Sequence, residues 1–222
     1  MIVLGIETTS PRGSVAIVCD GETIVEHVLK HSLKYSRLII PAIKKILGST
    51  RYSLKDIDRV AVGIGPGSFT GIRVGMAIVK GLIADTSIIP VGVSSLENIA
   101  GNCLMYNRIT SCIYAQNNEF FIQEFVREDT GTLISQNGCY ISTLENHISA
   151  NGISDIICGP DFDRMSELSH IDTVLKKMYP TAECAAQIVA KKTDGECNNR
   201  PFLPLYVRRS VAEIKGPKVF KL

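Results

Sequence analysis

The amino-acid sequence predicts an α/β protein made of two copies of one unit, each of βββαβα type. Three observations carry this. A meander of three short apolar strands opens the chain, a glycine-rich turn joins an apolar strand to a helix at residues 60–75, and the second half repeats the same succession. The first strand runs from Ile2 to Ile6, a turn follows through Thr8, Thr9, Ser10, Pro11, Arg12 and Gly13, and the second strand occupies Ser14 to Cys19. Asp20-Gly21 turns the chain into a third strand, Thr23 to Leu29. A helical period then covers about Ser36 to Leu47 and stops at Gly48, with Pro41 expected to bend its first turns. Ser53 to Asp56 reads as a capping-box turn, Arg59 to Ile64 as a strand, and the residues after Thr70 as a helix.

The second half begins again with a strand from Arg108 to Ala115, a turn at Asn117-Asn118, and a strand from Phe120 to Val126. After a turn at Asp129-Thr130-Gly131 a third strand is expected near Leu133. A helix near Leu144 to Ser149, a strand from Asp155 to Cys158 with its own Gly159-Pro160, and a helix from Ala182 to Lys192 complete the echo. The division expected from this repeat is a first lobe over 1–106, a degenerate second lobe over 107–205 and a C-terminal tail over 206–222.

Composition excludes several classes. At 222 residues, 45% hydrophobic and 21% charged, the chain has the make-up of a globular protein rather than of a disordered or fibrous one. No apolar run approaches the roughly 18 to 20 residues that span a bilayer. The opening Met1 to Gly5 lacks the basic segment and cleavage pattern of a signal peptide, so a cytoplasmic location without membrane contact is expected. Seven scattered cysteines without a C-x-x-C spacing argue against a disulfide framework and a zinc site, and read as buried thiols. A net charge of +2 makes no strong claim on nucleic acid, and Arg208, Arg209, Lys215, Lys218 and Lys221 read as a solvated tail.

The turn itself carries the most information. Gly65, Gly67 and Gly71 allow the positive φ angles and close backbone approach of a tight strand-to-helix connection, and Ser68 or Thr70 can cap the helix. Such a helix end attracts anions, but no Lys follows in Walker fashion. The whole string Gly65, Pro66, Gly67, Ser68, Phe69, Thr70, Gly71, Ile72, Arg73 strongly resembles the signature of the TsaB (YeaZ) family. The resemblance covers most of the first hundred residues, through Gly5 to Ser10 and Pro90 to Glu97 as well, and returns at Pro204 to Arg209. The tandem unit in turn resembles the actin-like (ASKHA) superfamily of sugar kinases and Hsp70-type ATPases, in which a nucleotide sits between the lobes.

The family resemblance implies a non-catalytic subunit that supports a TsaD-like enzyme forming N6-threonylcarbamoyladenosine at position 37 of tRNAs that read codons beginning with A. It also implies a TsaE-like P-loop ATPase as a third protein, tRNA contacted through the complex, and a homodimer when the subunit is alone. No tightly bound cofactor is then expected, ATP and metal belonging to the partner subunits. The rival reading is an independent ATP-binding kinase or ATPase of the actin-like superfamily. A protease is a third, disfavoured by the lack of a metal pair.

Residue by residue, the cleft reads as catalytically poor. Glu7 could serve a metal in the first half, but the corresponding second-half stretch carries Tyr114 and Gln116 where the family pattern is Asp-Ala-Arg. His27 and His31 have H-x-x-x-H spacing, yet on a strand residues four apart are separated by roughly 13 Å, too far to share one ion. Tyr35-Ser36 stands where the relatives have His-Ser or His-Thr, and neither His147 nor His170 is linked to a nucleophile by any signature, so no catalytic or metal residue is assigned. The helices instead read as an interface. Gly71, Gly75, Ile78 and Leu82 fall on a line away from the charged stripe of Arg73 and Lys80, and Leu38, Ile39 and Ile43 belong to a broad apolar surface on the preceding helix. The resemblance directs these first two helices at the TsaD-like partner, and gives Gly65 through Arg73 the organising role of fixing where the second helix starts.

Overall fold

The computed structural model describes residues 1–29, 35–166, 173–198 and 202–207 of the chain. Its first sheet holds β1 (Ile2–Glu7), β2 (Gly13–Cys19), β3 (Glu22–Leu29), β4 (Arg59–Gly65) and β5 (Ile89–Ser94), in the order β3-β2-β1-β4-β5. The meander is antiparallel, with Ile2 opposite Cys19 and Glu7 opposite Ser14, while β4 runs parallel to β1 and pairs Arg59 with Val3. The second sheet holds β6 (Arg108–Gln116), β7 (Glu119–Arg127), β8 (Leu133–Ser135), β9 (Tyr140–Ser142), β10 (Ile156–Gly159) and β11 (Val174–Lys177). Its order is β11-β10-β6-β7-β8, with β9 also paired to β7. Matching β6, β7, β8, β10 and β11 to β1 through β5 in turn, the two sheets have the same strand order, and this is the duplicated actin-like fold.

Alternation along the strands feeds both faces of the first sheet. Leu4, Ile6, Val15 and Ile17 point to α1 (Tyr35–Gly48) and α2 (Phe69–Ile83), meeting Ile39, Ile43, Ile46 and Val79. Val3, Val18 and Ala61 point the other way, against Ala185, Ala186 and Val189 of α6 (Ala182–Ala190). At the seam, α3 (Ser95–Gly101) buries Leu96, Ile99 and Ala100 against Ile109, Ile113, Phe125 and Ile156 of the second sheet. The Asn98 amide donates to the Thr181 carbonyl at 2.9 Å and accepts from the Thr181 N–H at 3.0 Å. On the outer face of the second sheet, Leu144 of α4 (Leu144–Asn151) packs with Cys112, Ile122, Ile157 and with Met165 of α5 (Phe162–Met165).

Several elements differ from the sequence reading. The strand β5 and helix α3 were not expected, because Pro90 and Gly92 weaken the strand pattern and α3 has only 7 residues. The short β9, α5, β11 and α7 (Asp194–Asn198) were likewise missed. Helix α6 comes from the second half of the chain yet covers the first sheet. Small residues make this possible: a Cβ on Gly5 would lie 2.1 Å from the Ala182 carbonyl oxygen. Arg59, 5% exposed, then ties the end of α6 and the start of α7 to the first residue of β4, donating to the carbonyls of Val189 at 3.0 Å and Lys192 at 2.7 Å and pairing with Asp194.

Candidate functional site

The glycine-rich turn is stitched to the turn between β1 and β2. Gly65 and Gly67 have φ of +103° and +149°, and the Gly65-Pro66 peptide is cis. The Ser68 N–H donates to the Thr9 carbonyl at 2.7 Å, the Thr8 hydroxyl donates to the Gly71 carbonyl at 2.8 Å, and the Ser68 hydroxyl caps α2 by accepting from the Gly71 N–H at 3.1 Å. The close approach explains the glycines. A Cβ on Gly67 would sit 2.4 Å from the Thr9 carbonyl oxygen, one on Gly71 1.9 Å from the Thr8 carbonyl oxygen, and one on Gly75 2.5 Å from the Thr8 hydroxyl.

This arrangement corrects the sequence reading of the helix faces. Gly71 and Gly75 do not lie open to a second subunit; they are buried under Thr8, while Ile39 and Ile43 are spent on the chain's own core. A helical wheel gives the angular position of a residue but not what covers it, and here an irregular turn far away in sequence does the covering. Of the expected surface, Leu38, Ile78 and Leu82 remain half-buried, joined by half-buried Val74 and by exposed Ile40, Phe69, Thr70, Ala77 and Gly81.

Arg73 is held rather than free. Its guanidinium lies over the Phe69 ring at 3.9 Å and its Nε donates to the Tyr206 hydroxyl at 3.3 Å, while Phe69 and Tyr206 stack with ring centres 5.3 Å apart. The C-terminal segment thus returns to the turn, and the Leu205 N–H donates to the Ile64 carbonyl at 2.9 Å. Among the residues that sequence reasoning left without a role, Tyr35 fills the other side of the β1–β2 turn. Its hydroxyl donates to the Ser10 carbonyl at 2.9 Å, and burial raises its pKa to about 12.

Glu7 turns inward. Its carboxyl is fully buried, with Oε1 accepting from the Thr9 N–H and hydroxyl, both at 2.5 Å, and with Oε2 lacking a hydrogen-bond partner among the described residues. Burial pushes its pKa above the ordinary range, against the lowering effect of the Thr9 bonds. The magnesium–nucleotide that an actin-like fold implies needs open oxygens, and the fully buried Glu7 carboxyl presents none. Among the described residues no group of three His, Cys, Asp or Glu side chains could hold a metal ion. His27 lies on β3, and His31 and His170 fall outside the described residues.

Between the lobes lies a cavity of about 560 Å³ lined by Pro11, Pro160, Asp161, Asp163, Arg164 and Tyr179. The Tyr114 backbone N–H donates to the Asp161 carboxylate at 2.9 Å, and the Arg164 guanidinium lies over the Tyr114 ring at 4.0 Å, so the tyrosine ring packs against this wall through Arg164. Gln116 is exposed at the end of β6. His147 is buried under the second sheet, its ring nitrogens 2.5 Å from the Tyr140 hydroxyl and 3.3 Å from that of Thr110, which makes it part of a satisfied core network.

Comparison with known proteins fits this architecture. A sequence-family model described as "TsaD: tRNA N6-adenosine threonylcarbamoyltransferase" matches residues 29–194. The Escherichia coli protein named tRNA threonylcarbamoyladenosine biosynthesis protein TsaB is 34% identical over 134 residues, which cover 59% of this chain and 58% of that protein. The chain thus spans a little over half the length of this curated relative. A crystal structure of a Pseudomonas aeruginosa protein described as similar to peptidase YeaZ superposes with a TM-score of 0.78 at 20% identity, covering 93% of this chain and 99% of that one. YeaZ from Pseudomonas aeruginosa gives 0.77 at 19% identity, over 92% and 99%. Among the described residues no helix is long and apolar enough to cross a membrane. The signature turn, its stitching to the opening hairpin and the matched family model together place the chain in the family related to tRNA N6-adenosine threonylcarbamoyltransferase, in its TsaB (YeaZ) branch.

Proposed function

We propose that this chain is an accessory subunit in the formation of N6-threonylcarbamoyladenosine on tRNA, acting by holding a TsaD-like catalytic subunit through the outer face of α1 and α2. The observation that carries the reading is the surface left after the core is satisfied. Val74, Ile78 and Leu82 form a half-buried line along α2, with exposed Ala77 and Gly81 beside it and exposed Ile40 on α1. Apolar area left in water costs about 25 cal/mol per Å², and contiguous apolar strips of this kind mark contact surfaces. The buried Glu7 supports the same reading, because it leaves the first lobe without an open carboxylate at its opening turn. ATP and metal then belong to the catalytic subunit and to a TsaE-like ATPase, and tRNA is reached through the complex in the cytoplasm. The same strip would pair two copies of the chain when no partner is present.

The test uses exposed positions. Ala77→Arg and Ile40→Asp should leave the chain folded by circular dichroism and abolish co-elution with a TsaD-like subunit in gel filtration. Ile153→Asp, on an exposed site of the second lobe, should not. Undiminished complex with both α1 and α2 variants would refute the surface. The rival, an independent kinase or ATPase, predicts micromolar MgATP binding with turnover by the isolated chain in calorimetry.

A further inference from the structure

Cys103 and Cys158 approach each other inside the second lobe from elements 55 residues apart, and their sulfurs lie 3.4 Å apart. Cys103 sits just past the end of α3 and is 2% exposed; Cys158 lies in β10 and is fully buried. Cationic side chains, Lys176 and Arg127, stand near the pair. Arg127 donates from one terminal nitrogen to the carbonyls of Ala100 at 3.3 Å and Cys103 at 3.4 Å, and its buried Nε has no hydrogen-bond partner among the described residues. The hydrogen bond with Cys158, and then the nearby charges of Lys176 and Arg127, hold the Cys103 thiol below its usual range despite burial, whereas Cys158 is held well above its own.

We propose that Cys103 and Cys158 form a dithiol–disulfide site at which the chain responds to peroxide-class oxidants. The Cys103 thiolate attacks one oxygen of the peroxide, forming a sulfenic acid and releasing hydroxide in the case of hydrogen peroxide. The Cys158 sulfur then attacks that sulfenic sulfur, the S–S bond forms, and the sulfenic hydroxyl leaves with the Cys158 proton as water. Two thiols are oxidised and one peroxide is reduced. Closing the bond brings the sulfurs from 3.4 Å to about 2.05 Å. Cys103 leads directly into the surface connection from α3 to β6, whose Leu104 and Met105 are 75% and 92% exposed. The cross-link ties the end of α3, the helix at the seam of the lobes, to β10, the strand between β11 and β6 in the second sheet.

The experiment treats the full-length reduced protein with graded hydrogen peroxide, counts thiols under denaturing conditions and maps peptides without reduction. Of the 7 free cysteines, two should be lost, the Cys103 and Cys158 peptides should be recovered joined, and dithiothreitol should restore all of them. Cys158→Ser should instead leave a sulfenic acid that dimedone traps at Cys103. Retention of every thiol, a cross-link joining other cysteines, or dimedone labelling elsewhere would overturn the proposal. Should Cys158→Ser fail to fold, the peptide map of the unsubstituted chain decides by itself.

Discussion

Replacing Gly71 by alanine separates helix propensity from packing at the signature turn. Alanine in a helix interior is worth up to about 1 kcal/mol over glycine, so propensity alone predicts stabilisation. The structure predicts the opposite sign. A Cβ at Gly71 would lie 1.9 Å from the Thr8 carbonyl oxygen and 2.9 Å from its carbon, so either the first turn of α2 or the Thr8-Thr9 turn must move by more than 1 Å. That shift breaks the Thr8 hydroxyl bond to the Gly71 carbonyl and the Ser68 bond to the Thr9 carbonyl. Two hydrogen bonds at about 1 kcal/mol each, with overpacking of about 1–3 kcal/mol and less the propensity gain, leave a net loss of about 2–4 kcal/mol. Gly81 supplies the control, since it lies in the same helix and an added Cβ meets nothing within 4 Å. Gly81→Ala should therefore raise stability by about 0.5–1 kcal/mol. Urea unfolding followed by circular dichroism, with midpoints compared at equal slope, measures both. If Gly71→Ala matches Gly81→Ala, the stitching of the two turns has no energetic weight and the account of the signature fails.

Two further perturbations test the supporting structure. Arg59→Ala removes bonds to two carbonyls and to Asp194, and should cost about 2–4 kcal/mol because the carbonyl ends of α6 lose buried partners. Asp194→Asn, at an exposed carboxylate, should cost under about 1 kcal/mol in the same urea assay; equal losses would contradict the assignment. Burial raises the Glu7 pKa, so the folded state holds that proton more tightly than the unfolded state. Its contribution favours folding least once the pH exceeds the folded pKa, and stability falls as pH rises from the ordinary value of 4.5 through that raised value. Glu7→Gln should lack this slope, so that its stability relative to the parent grows with pH over that window. Parallel pH profiles would refute a buried, proton-retaining Glu7.

Much of the fold was legible because its signals are local. The alternation of Leu4 and Ile6 against Val3, the Asp20-Gly21 turn, and the glycines at 65, 67 and 71 each announce an element within a few residues. The burial of Gly71 and Gly75 was not legible, since Thr8 reaches Gly71 from 63 residues away, and Gly75 from farther still, and only the fold brings it there. The same holds for Glu7, whose closure depends on Thr9, itself 2.8 Å from the Ser95 hydroxyl of a helix too short to show a period. The helix from Ala182 was legible as an element, but nothing local says that it packs on the first sheet, where Ala185 and Ala186 meet Val3 and Ala61. The contact of Cys103 with Cys158 was hidden for a similar reason, because scattered cysteines have no spacing that reveals a pair formed between a helix end and a distant strand.

If the outer face of α1 and α2 holds a catalytic neighbour, as proposed, the transfer of the threonylcarbamoyl group to tRNA by a TsaD-like subunit, with a TsaE-like ATPase present, depends on it. Adding the unsubstituted chain should raise the rate at least tenfold, and adding Ala77→Arg should leave it at the level without the chain. An equal rate with both proteins, or none with either while the isolated chain turns over ATP, would contradict it.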